Sequence, residues 1–573
     1  MKLLFVLAFS SLTPFTAFAA PQVKIGNTTF TGKDITSFRQ EFFGGVCLQA
    51  LDISPYLAHT RGDVAAIPYA EPPIGNLRLK PPVLKTTLSQ ATFDASNYGP
   101  ACLQTNLPET QISEDCLTIN ILRPSGLPEN ALLPVMFWTY GGGFHAGTAS
   151  SFNASAIVAQ SVARGTPVIY VNFNYRLGAL GFPTGQELAD LGSLNLGLMD
   201  QTTALQWVQQ IIGAFGGDKT KACPSGSVMT FGHSAGSIMT AIQYLNPDFG
   251  KYARAAILQS GSQATSPIFV PEARQDTWSS FVGNVAECAS VAHTSTTVDC
   301  LQSVNSSSLL RAIAASESNG GEGQWAPILD GPDGFLPDYP SNLFKNGRFS
   351  RLPFIAGTEL DEGTHFIPTQ GLNYTDATFR ALILASYSPP VPPLTTQNLN
   401  DAISRLVELY PNDPTLGSPF GTGNETFGLD PGFKRFAAAF GDLNFQSQRR
   451  LFQRAAAGAG VETYGYEFTQ PQANSSYLGV EHSAILHYIY GFVPNATESD
   501  TRISQAIIDY WVSFTFSLNP NDGKGAQRPQ WTKYSASSEL LMSLNGNNTT
   551  LIVDVYRREQ TDLINQDPLL FHH

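Results

Sequence analysis

The residues best suited to covalent chemistry lie in the pentapeptide Gly232-His233-Ser234-Ala235-Gly236. It follows an apolar run at 228–231 that is typical of a strand, and it precedes residues 237–242, which are typical of a helix. A serine in a Gly-x-Ser-x-Gly turn between a strand and a helix is held in a strained conformation that presents its hydroxyl at the end of a sheet. The glycines keep side chains away from the turn. The pattern predicts that Ser234 is a nucleophile.

Three consecutive glycines within residues 140–144 follow another apolar segment. Backbone N–H groups in such a loop, together with the N–H of Ala235, would form an oxyanion hole for acyl transfer. A phosphate-binding loop is the alternative, but it needs a lysine and a serine or threonine directly after the glycines. The tripeptide at 144–146, Phe-His-Ala, supplies neither.

A nucleophilic serine of this type needs a carboxylate and a histidine, which follow it in the order serine, acid, histidine. Three carboxylates in one short segment fit the position of the acid: Glu359, Asp361 and Glu362. Nearer the C-terminus, His482 and His487 compete for the position of the base. Spacing alone leaves both choices open.

The elements that would position these residues alternate between strand-like and helix-like patterns. The strands are apolar on both faces, which is typical of a mostly parallel sheet covered by helices on both sides. In such sheets, functional sites lie where strands end. The predicted strands are 133–140, 166–173, 228–231, 255–260 and 352–357, and the predicted helix before the pentapeptide is 203–215.

Composition narrows the classes of partner. The chain has 573 residues, of which 42% are hydrophobic and 14% are charged, and its net charge is -13. The negative charge argues against nucleic acid or an anionic membrane surface as a partner. The sequence contains no internal repeat and no low-complexity linker.

Residues 1–20 have the features of a secretory signal peptide. Lys2 provides the positive charge, residues 3–9 form a short apolar core, and Ala17-Phe18-Ala19 fits the cleavage rule. A membrane anchor is the alternative, but the apolar run is too short. We therefore expect cleavage after Ala19 or Ala20, an extracellular protein and no stable membrane anchor.

Sequons and cysteines agree with secretion. The six cysteines favour two local disulfides, Cys102 with Cys116 and Cys288 with Cys300, each worth about 3 kcal/mol if unstrained. Cys47 and Cys223 are left over. Asparagines that begin an N-glycosylation sequon, and so predict N-linked glycans on surface loops, are Asn27, Asn153, Asn305, Asn373, Asn424, Asn474, Asn495, Asn547 and Asn548.

From about Ile67 onward the sequence resembles the type-B carboxylesterases, the family that includes cholinesterases and the Candida rugosa-type fungal lipases. Each matching motif is weak alone, and together in this order they are specific. The motifs occupy residues 67–73, 113–120, 141–144, 174–176, 197–201, 214–218, 232–236, 259–262 and 361–364.

The resemblance implies a fold, a reaction and a set of roles. It implies an α/β-hydrolase fold, with residues 21–573 as one domain, and a secreted serine carboxylesterase that forms an acyl-enzyme on small ester substrates. No metal or organic cofactor is expected. The roles implied are those of nucleophile, acid and base for Ser234, Glu362 and His482, and of oxyanion donors for Gly142, Gly143 and Ala235.

The chain departs from the family pattern around these residues. His233 stands where the family usually has a glutamate, and Ile485 stands where a carboxylate commonly follows the histidine by three positions. His233 is an alternative base because it adjoins Ser234, but neighbouring residues in the turn are expected to point apart. His487 is expected to be an ordinary polar residue.

The segment between Cys102 and Cys116 is short and contains no tryptophan. It cannot form the long flap of the fungal lipases, and it lacks the choline-binding tryptophan of cholinesterases. A general carboxylesterase is therefore favoured over a lipase or sterol esterase. A non-catalytic, cholinesterase-like binding protein is a further alternative, but such proteins typically lose part of the triad.

Two segments, 46–66 and 222–227, interrupt the family pattern, and they contain Cys47 and Cys223. They are either retained intron sequence or genuine insertions, in which case the two cysteines could pair. Sequencing of the mature transcript distinguishes the two hypotheses.

Overall fold

A large mixed sheet forms the centre of the fold. The computed structural model describes residues 20–44, 66–218, 228–320, 324–473 and 476–573. Within them, twelve strands form one sheet in the order β15-β14-β13-β12-β11-β10-β8-β9-β7-β4-β3, with β5 beside β7, and β1, β2 and β6 form a small separate sheet. The strands are β1 Gln22–Ile25, β2 Thr28–Thr31, β3 Lys33–Ile35, β4 Gln40–Phe43, β5 Ile67–Pro68, β6 Thr92–Asp94, β7 Thr118–Pro124, β8 Val135–Thr139, β9 Ile169–Phe173, β10 Val228–His233, β11 Ala255–Gln259, β12 Phe354–Glu359, β13 Thr463–Phe468, β14 Leu540–Leu544 and β15 Thr550–Val553.

Seven neighbouring strands of this sheet are parallel to one another: β9, β8, β10, β11, β12, β13 and β14. Every residue of β8 to β13 is buried, so both faces of this part of the sheet are covered. The predicted mostly parallel α/β sheet is therefore confirmed. Because parallel strands end at the same edge, β10 and β12 bring the segments that follow them close together.

Helices cover the sheet and fill the connections between its strands. Helix α5 packs on β8, β10 and β11, and α13 packs on β12 and β13. The described helices are α1 Ser155–Ala163, α2 Gly178–Gly181, α3 Gln186–Asp190, α4 Leu196–Ile211, α5 Ala235–Gln243, α6 Gln275–Gly283, α7 Thr297–Ser303, α8 Ser306–Gly320, α9 Pro340–Lys345, α10 Asp376–Ser386, α11 Thr396–Leu409, α12 Gly432–Gly441, α13 Ser447–Gly458, α14 Leu486–Ile489, α15 Glu498–Ser517 and α16 Arg558–Gln566.

The helix predicted at 203–215 begins earlier than expected. Helix α4 starts at Leu196, and residues 212–215 continue it as a 3₁₀ turn. Its first turns carry polar residues that face inward: Asp200 binds the guanidinium of Arg176 at 2.7 Å, and Gln201 donates to the hydroxyl of Thr139 at 2.9 Å. Because Arg176 and Thr139 satisfy these buried polar side chains, the start of the helix lacks the amphipathic pattern.

The cysteines and the sequons have definite positions. Cys102 is bonded to Cys116 and Cys288 to Cys300. Residues 1–19 of the proposed signal peptide, Cys47, Cys223 and Asn474 lie outside the described residues. So do the segments 46–66 and 222–227, except for Ala66. The sequon asparagines that the structure describes are all exposed: Asn27, Asn153, Asn305, Asn373, Asn424, Asn495, Asn547 and Asn548.

Within the described residues, no helix has both the length and the apolarity needed to cross a bilayer. The prediction that residues 21–573 form one domain stays a prediction.

Two neighbouring histidines, His572 and His573, are almost completely buried. A ring nitrogen of His573 lies 2.5 Å from the side-chain amide of Gln448, and burial lowers the pKa of His573 to about 3, with His572 adding to the effect. The unfolded chain binds a proton there below about pH 6.5, whereas the folded protein resists it. The stability that His573 contributes is therefore present above that pH and is lost as the pH falls.

We expect the free energy of unfolding to fall by about 2 kcal/mol between about pH 7 and pH 5 through His573 alone. Urea unfolding at several pH values measures this loss. The variant His573→Phe keeps an aromatic ring beside Phe571 and Tyr387 and cannot titrate. Its stability should fall less steeply over the same range, and an equally steep fall would contradict the prediction.

Candidate active site

Ser234 lies in a sharp turn between β10 and α5. Its backbone has φ 55° and ψ -129°, a strained combination for a residue with a side chain. The turn needs glycine on both sides, because a Cβ on Gly232 would lie 2.5 Å from the backbone of Gly236, and one on Gly236 would lie 2.1 Å from the carbonyl oxygen of Thr139. The strain leaves Ser234 at the end of the buried strand with its side chain partly exposed.

The three-glycine loop lies directly against this turn. A Cβ on Gly141 would lie 2.8 Å from the Cβ of Ser234, so only glycine allows the approach. Gly142 and Gly143 have φ of 114° and 60°, and the carbonyl of Gly142 accepts the N–H of Ala146 at 3.0 Å.

The third of the predicted oxyanion donors, Ala235, begins α5. The N–H groups of a helix's first turn have no partner within the helix and favour negative charge. The structure therefore places all three of these residues within the segments that surround Ser234.

The side chain that reaches Ser234 is that of His482. Its Nε2 lies 2.8 Å from the Ser234 hydroxyl oxygen, and its Nδ1 lies 2.6 Å from an oxygen of Glu362. The ring is buried, with 4% exposure. His487 makes no side-chain contact with these groups among the described residues.

The three carboxylates left open by spacing have distinct partners. Glu362 is buried, and its second oxygen accepts the backbone N–H of Glu359 at 2.9 Å. The Glu359 carboxylate is farther from His482 Nδ1, at 3.8 Å. Asp361 turns away to accept the N–H of Val480 and the hydroxyl of Ser418. Glu362 is thus the carboxylate hydrogen-bonded to the imidazole.

Burial shapes the electrostatics of this pair. It raises the pKa of Glu362, because the carboxylate loses its hydration, and the N–H of Glu359 and the hydroxyl of Ser260 act in the opposite direction. It lowers the pKa of His482, because the imidazolium also loses hydration and His233 lies beside it. A neutral imidazole is the form that can accept a proton from Ser234.

The loop that carries His482 is fastened to the end of β12. Asp361 accepts the N–H of Val480 at 2.9 Å, and the hydroxyl of Thr364 donates to the carbonyl of Leu478 at 2.7 Å. Gly479 packs so closely on Asp361 that a Cβ there would lie 2.4 Å from the carboxylate. These contacts fix the approach of His482 from a distant part of the chain.

Aromatic rings enclose the other side of His482. The rings of Phe366 and Phe445 lie 5.0 Å and 4.9 Å from the imidazole, and Phe366 stacks on Phe440 at 4.9 Å. Phe445 belongs to a single π-helical turn, Asp442–Gln446, between α12 and α13. Such turns are frequent at functional sites because they redirect side chains.

Sequence reasoning missed Gln104. This residue joins the loop closed by the Cys102–Cys116 disulfide to the loop that follows the three glycines at 141–143. Its amide donates to the carbonyl of Gly147 and accepts the N–H of Gly147, both at 2.9 Å, and it also donates to the carbonyl of Cys102. Gln104 is 1% exposed. Its position two residues after a cysteine is the only signal in the sequence.

Comparisons with known proteins show which proteins this chain is similar to. The sequence model of the Carboxylesterase family matches residues 64–564. Lipase 4 of Diutina rugosa is 35% identical over 522 residues, covering 84% of this chain and 87% of that protein. Secreted lipase 1 of Botryotinia fuckeliana is 34% identical over 539 residues, covering 87% and 88%.

Solved structures support the fold. Aspergillus niger EstA superposes with a TM-score of 0.78 at 24% identity and covers 97% of this chain and 99% of its own. A structure named PNB esterase superposes with a TM-score of 0.73 at 25% identity, covering 95% and 100%. These likenesses confirm the predicted α/β-hydrolase fold.

Proposed function

Because the chain belongs to the carboxylesterase family, as its motifs indicated, we propose that it is a secreted enzyme that hydrolyses carboxylic esters through Ser234, His482 and Glu362. The observation that supports this most directly is the continuous hydrogen-bonded path from the Ser234 hydroxyl through the imidazole to the Glu362 carboxylate. A nucleophile, a base and a group that orients the base are the parts that such catalysis needs.

The proposed reaction has two halves. His482 Nε2 takes the proton of Ser234 as the serine oxygen attacks the ester carbonyl, and Glu362 holds the imidazole and stabilises its charged form. The backbone N–H groups of Gly142, Gly143 and Ala235 donate to the oxyanion of the tetrahedral intermediate. The imidazolium then gives its proton to the departing alcohol, which leaves an acyl group on Ser234.

Water completes the cycle in the second half. His482 takes a proton from a water molecule, whose oxygen attacks the acyl-enzyme carbonyl, and the same N–H groups stabilise the second tetrahedral intermediate. Collapse releases the carboxylic acid and returns the proton to Ser234. Neither half requires a metal ion or an organic cofactor.

The proposed location is outside the cell. The signal-like residues 1–20 support it, and so do the exposed sequon asparagines, which are accessible to glycosylation. Relatives named as secreted lipases are 34% and 32% identical to the chain. We therefore propose that the mature protein carries N-linked glycans at some of these asparagines.

The loop closed by the Cys102–Cys116 disulfide bears on the substrate class. Between Cys102 and Cys116 the only helical turn is at Glu109–Gln111, and Ala101 pairs by backbone hydrogen bonds with Gln111 and Ser113. With Gln104 bound to Gly147, this loop is fastened close to the site. A fastened short loop supports a general carboxylesterase, whereas the names of the similar proteins favour a lipase as the second candidate.

We expect the protein to hydrolyse soluble short- and medium-chain p-nitrophenyl esters without a rise in rate at an oil surface, because the loop has no long flap to displace. The measurement compares rates on a series from acetate to decanoate with rates on emulsified tributyrin and triolein. Strong activation above the solubility limit of tributyrin, or preference for triolein, would support the lipase instead. Absence of hydrolysis of every ester would favour a non-catalytic binding protein.

A further inference from the structure

A second carboxylate and a second imidazole lie behind the proposed triad. Glu359 ends β12, and His233 ends β10 directly before Ser234. His233 Nε2 lies 3.7 Å from an oxygen of Glu359, and the ring of His233 lies 4.7 Å from the ring of His482. The side chains of Glu359 and His233 are 0% and 2% exposed, so any charge on them acts with little screening.

Glu359 is bound to the loop that carries His482. One of its oxygens accepts the N–H of Ser483 at 2.9 Å and the hydroxyl of Ser260 at 3.2 Å, and the other accepts the N–H of Ile485 at 3.1 Å. Its carboxylate is 3.8 Å from His482 Nδ1. One buried charge thus holds the backbone on the C-terminal side of His482 and faces the imidazole itself.

The two departures from the family pattern meet at this carboxylate. Ile485, which occupies the position of a family carboxylate, donates its backbone N–H to Glu359, so the strand provides a negative charge at this loop. His233, which occupies the position of a family glutamate, provides an imidazole beside the same group. His233 Nε2 is buried without a hydrogen-bond partner among the described residues, although it lies near Glu359.

We propose that Glu359 and His233 form a second carboxylate–imidazole pair that positions His482 and sets the charge it experiences. Both are positioning residues, because they act through His482 and not on the substrate. The inference rests on the proposed function, since it assigns these residues to the same base.

The charges around His482 fix the expected direction of each effect. Besides Glu359, Glu362 and His233, the groups that face it are His365 and Glu481, which pair with each other at 3.2 Å. Tyr466 faces Glu359 and Glu362 from β13 with a buried hydroxyl. Removal of the negative charge of Glu359 should make protonation of the Glu362–His482 pair harder, whereas removal of His233 should make it easier.

The test is the pH dependence of kcat/KM for a soluble ester, measured on the full chain and on single variants. For Glu359→Gln we expect kcat to fall about 10- to 100-fold with KM nearly unchanged, because His482 is held less well. The acid limb of the profile should move to lower pH by about one unit or more. For His233→Asn the acid limb should move to higher pH.

The matched control is Asp361→Asn, which alters a buried carboxylate that holds the same loop through Val480. It is expected to lower kcat or the melting temperature without moving the acid limb. An unchanged acid limb in folded Glu359→Gln overturns the inference, even if kcat falls. If that variant does not fold, an unchanged acid limb in His233→Asn overturns it, whereas an inactive parent enzyme refutes the proposed function instead.

Discussion

Replacement of Ser234 by alanine is expected to lower kcat for ester hydrolysis by about 10⁶-fold and to abolish labelling by a fluorophosphonate probe. The reason is that the Ser234 hydroxyl is the one that His482 Nε2 contacts among the described residues, and it would carry the acyl group. In a serine protease, loss of the nucleophile alone costs about as much as loss of the whole triad. The measurements are the rate on a soluble p-nitrophenyl ester and the mass of the labelled peptide.

The matched control for this prediction is Ser237→Ala. Ser237 is a buried serine three positions later, on α5, and its hydroxyl donates to the carbonyl of Gly261 at 2.7 Å, away from the imidazole. Its loss should leave labelling intact and kcat within a few-fold. Labelling of Ser234→Ala at another residue would show that the nucleophile is wrongly assigned.

The second large effect is expected for Glu362→Gln, which should lower kcat about 10⁴-fold while the protein still folds. A glutamine has nearly the same shape and can still accept the N–H of Glu359. Its uncharged amide, however, neither stabilises the imidazolium of His482 nor reliably holds the tautomer whose Nε2 accepts the serine proton. Burial makes the loss of this charge more costly than it would be at a surface.

Melting temperature and kcat are measured together for Glu362→Gln, with Asp361→Asn as a neighbour that does not touch the imidazole. The neighbour should lose far less activity. If Glu359→Gln lowered kcat more than Glu362→Gln, Glu359 would be the acid and the assignment from the hydrogen bond would be wrong.

The sharp turn at Ser234 and the sheet could be predicted because their signals are local. Five consecutive residues, 232–236, indicate the turn at Ser234. The strands are indicated by unbroken apolar runs, which need burial on both faces. The choice of Glu362 among three carboxylates could not come from spacing. It depends on the 3₁₀ turn Glu362–His365, which sends neighbouring side chains in different directions.

Other features escaped sequence reasoning because they join distant segments. Nothing near Gln104 indicates that its amide would bind Gly147, and nothing near Glu359 indicates that it would bind Ser483. The start of α4 was missed because Asp200 is polar yet buried by an ion pair with Arg176. In each case a polar group is satisfied by a partner that only the finished fold supplies.

The fastening of the His482 loop to the end of β12 has a consequence for the timing of activity. His482 lies 248 positions after Ser234 in the chain, and its loop is held by residues that follow β12. Under the proposed function, a chain still on the ribosome would therefore have its proposed nucleophile long before its proposed base. We expect ester hydrolysis to begin only when synthesis and docking of the last third of the chain are complete, so that the unfinished protein leaves ester bonds in its surroundings intact.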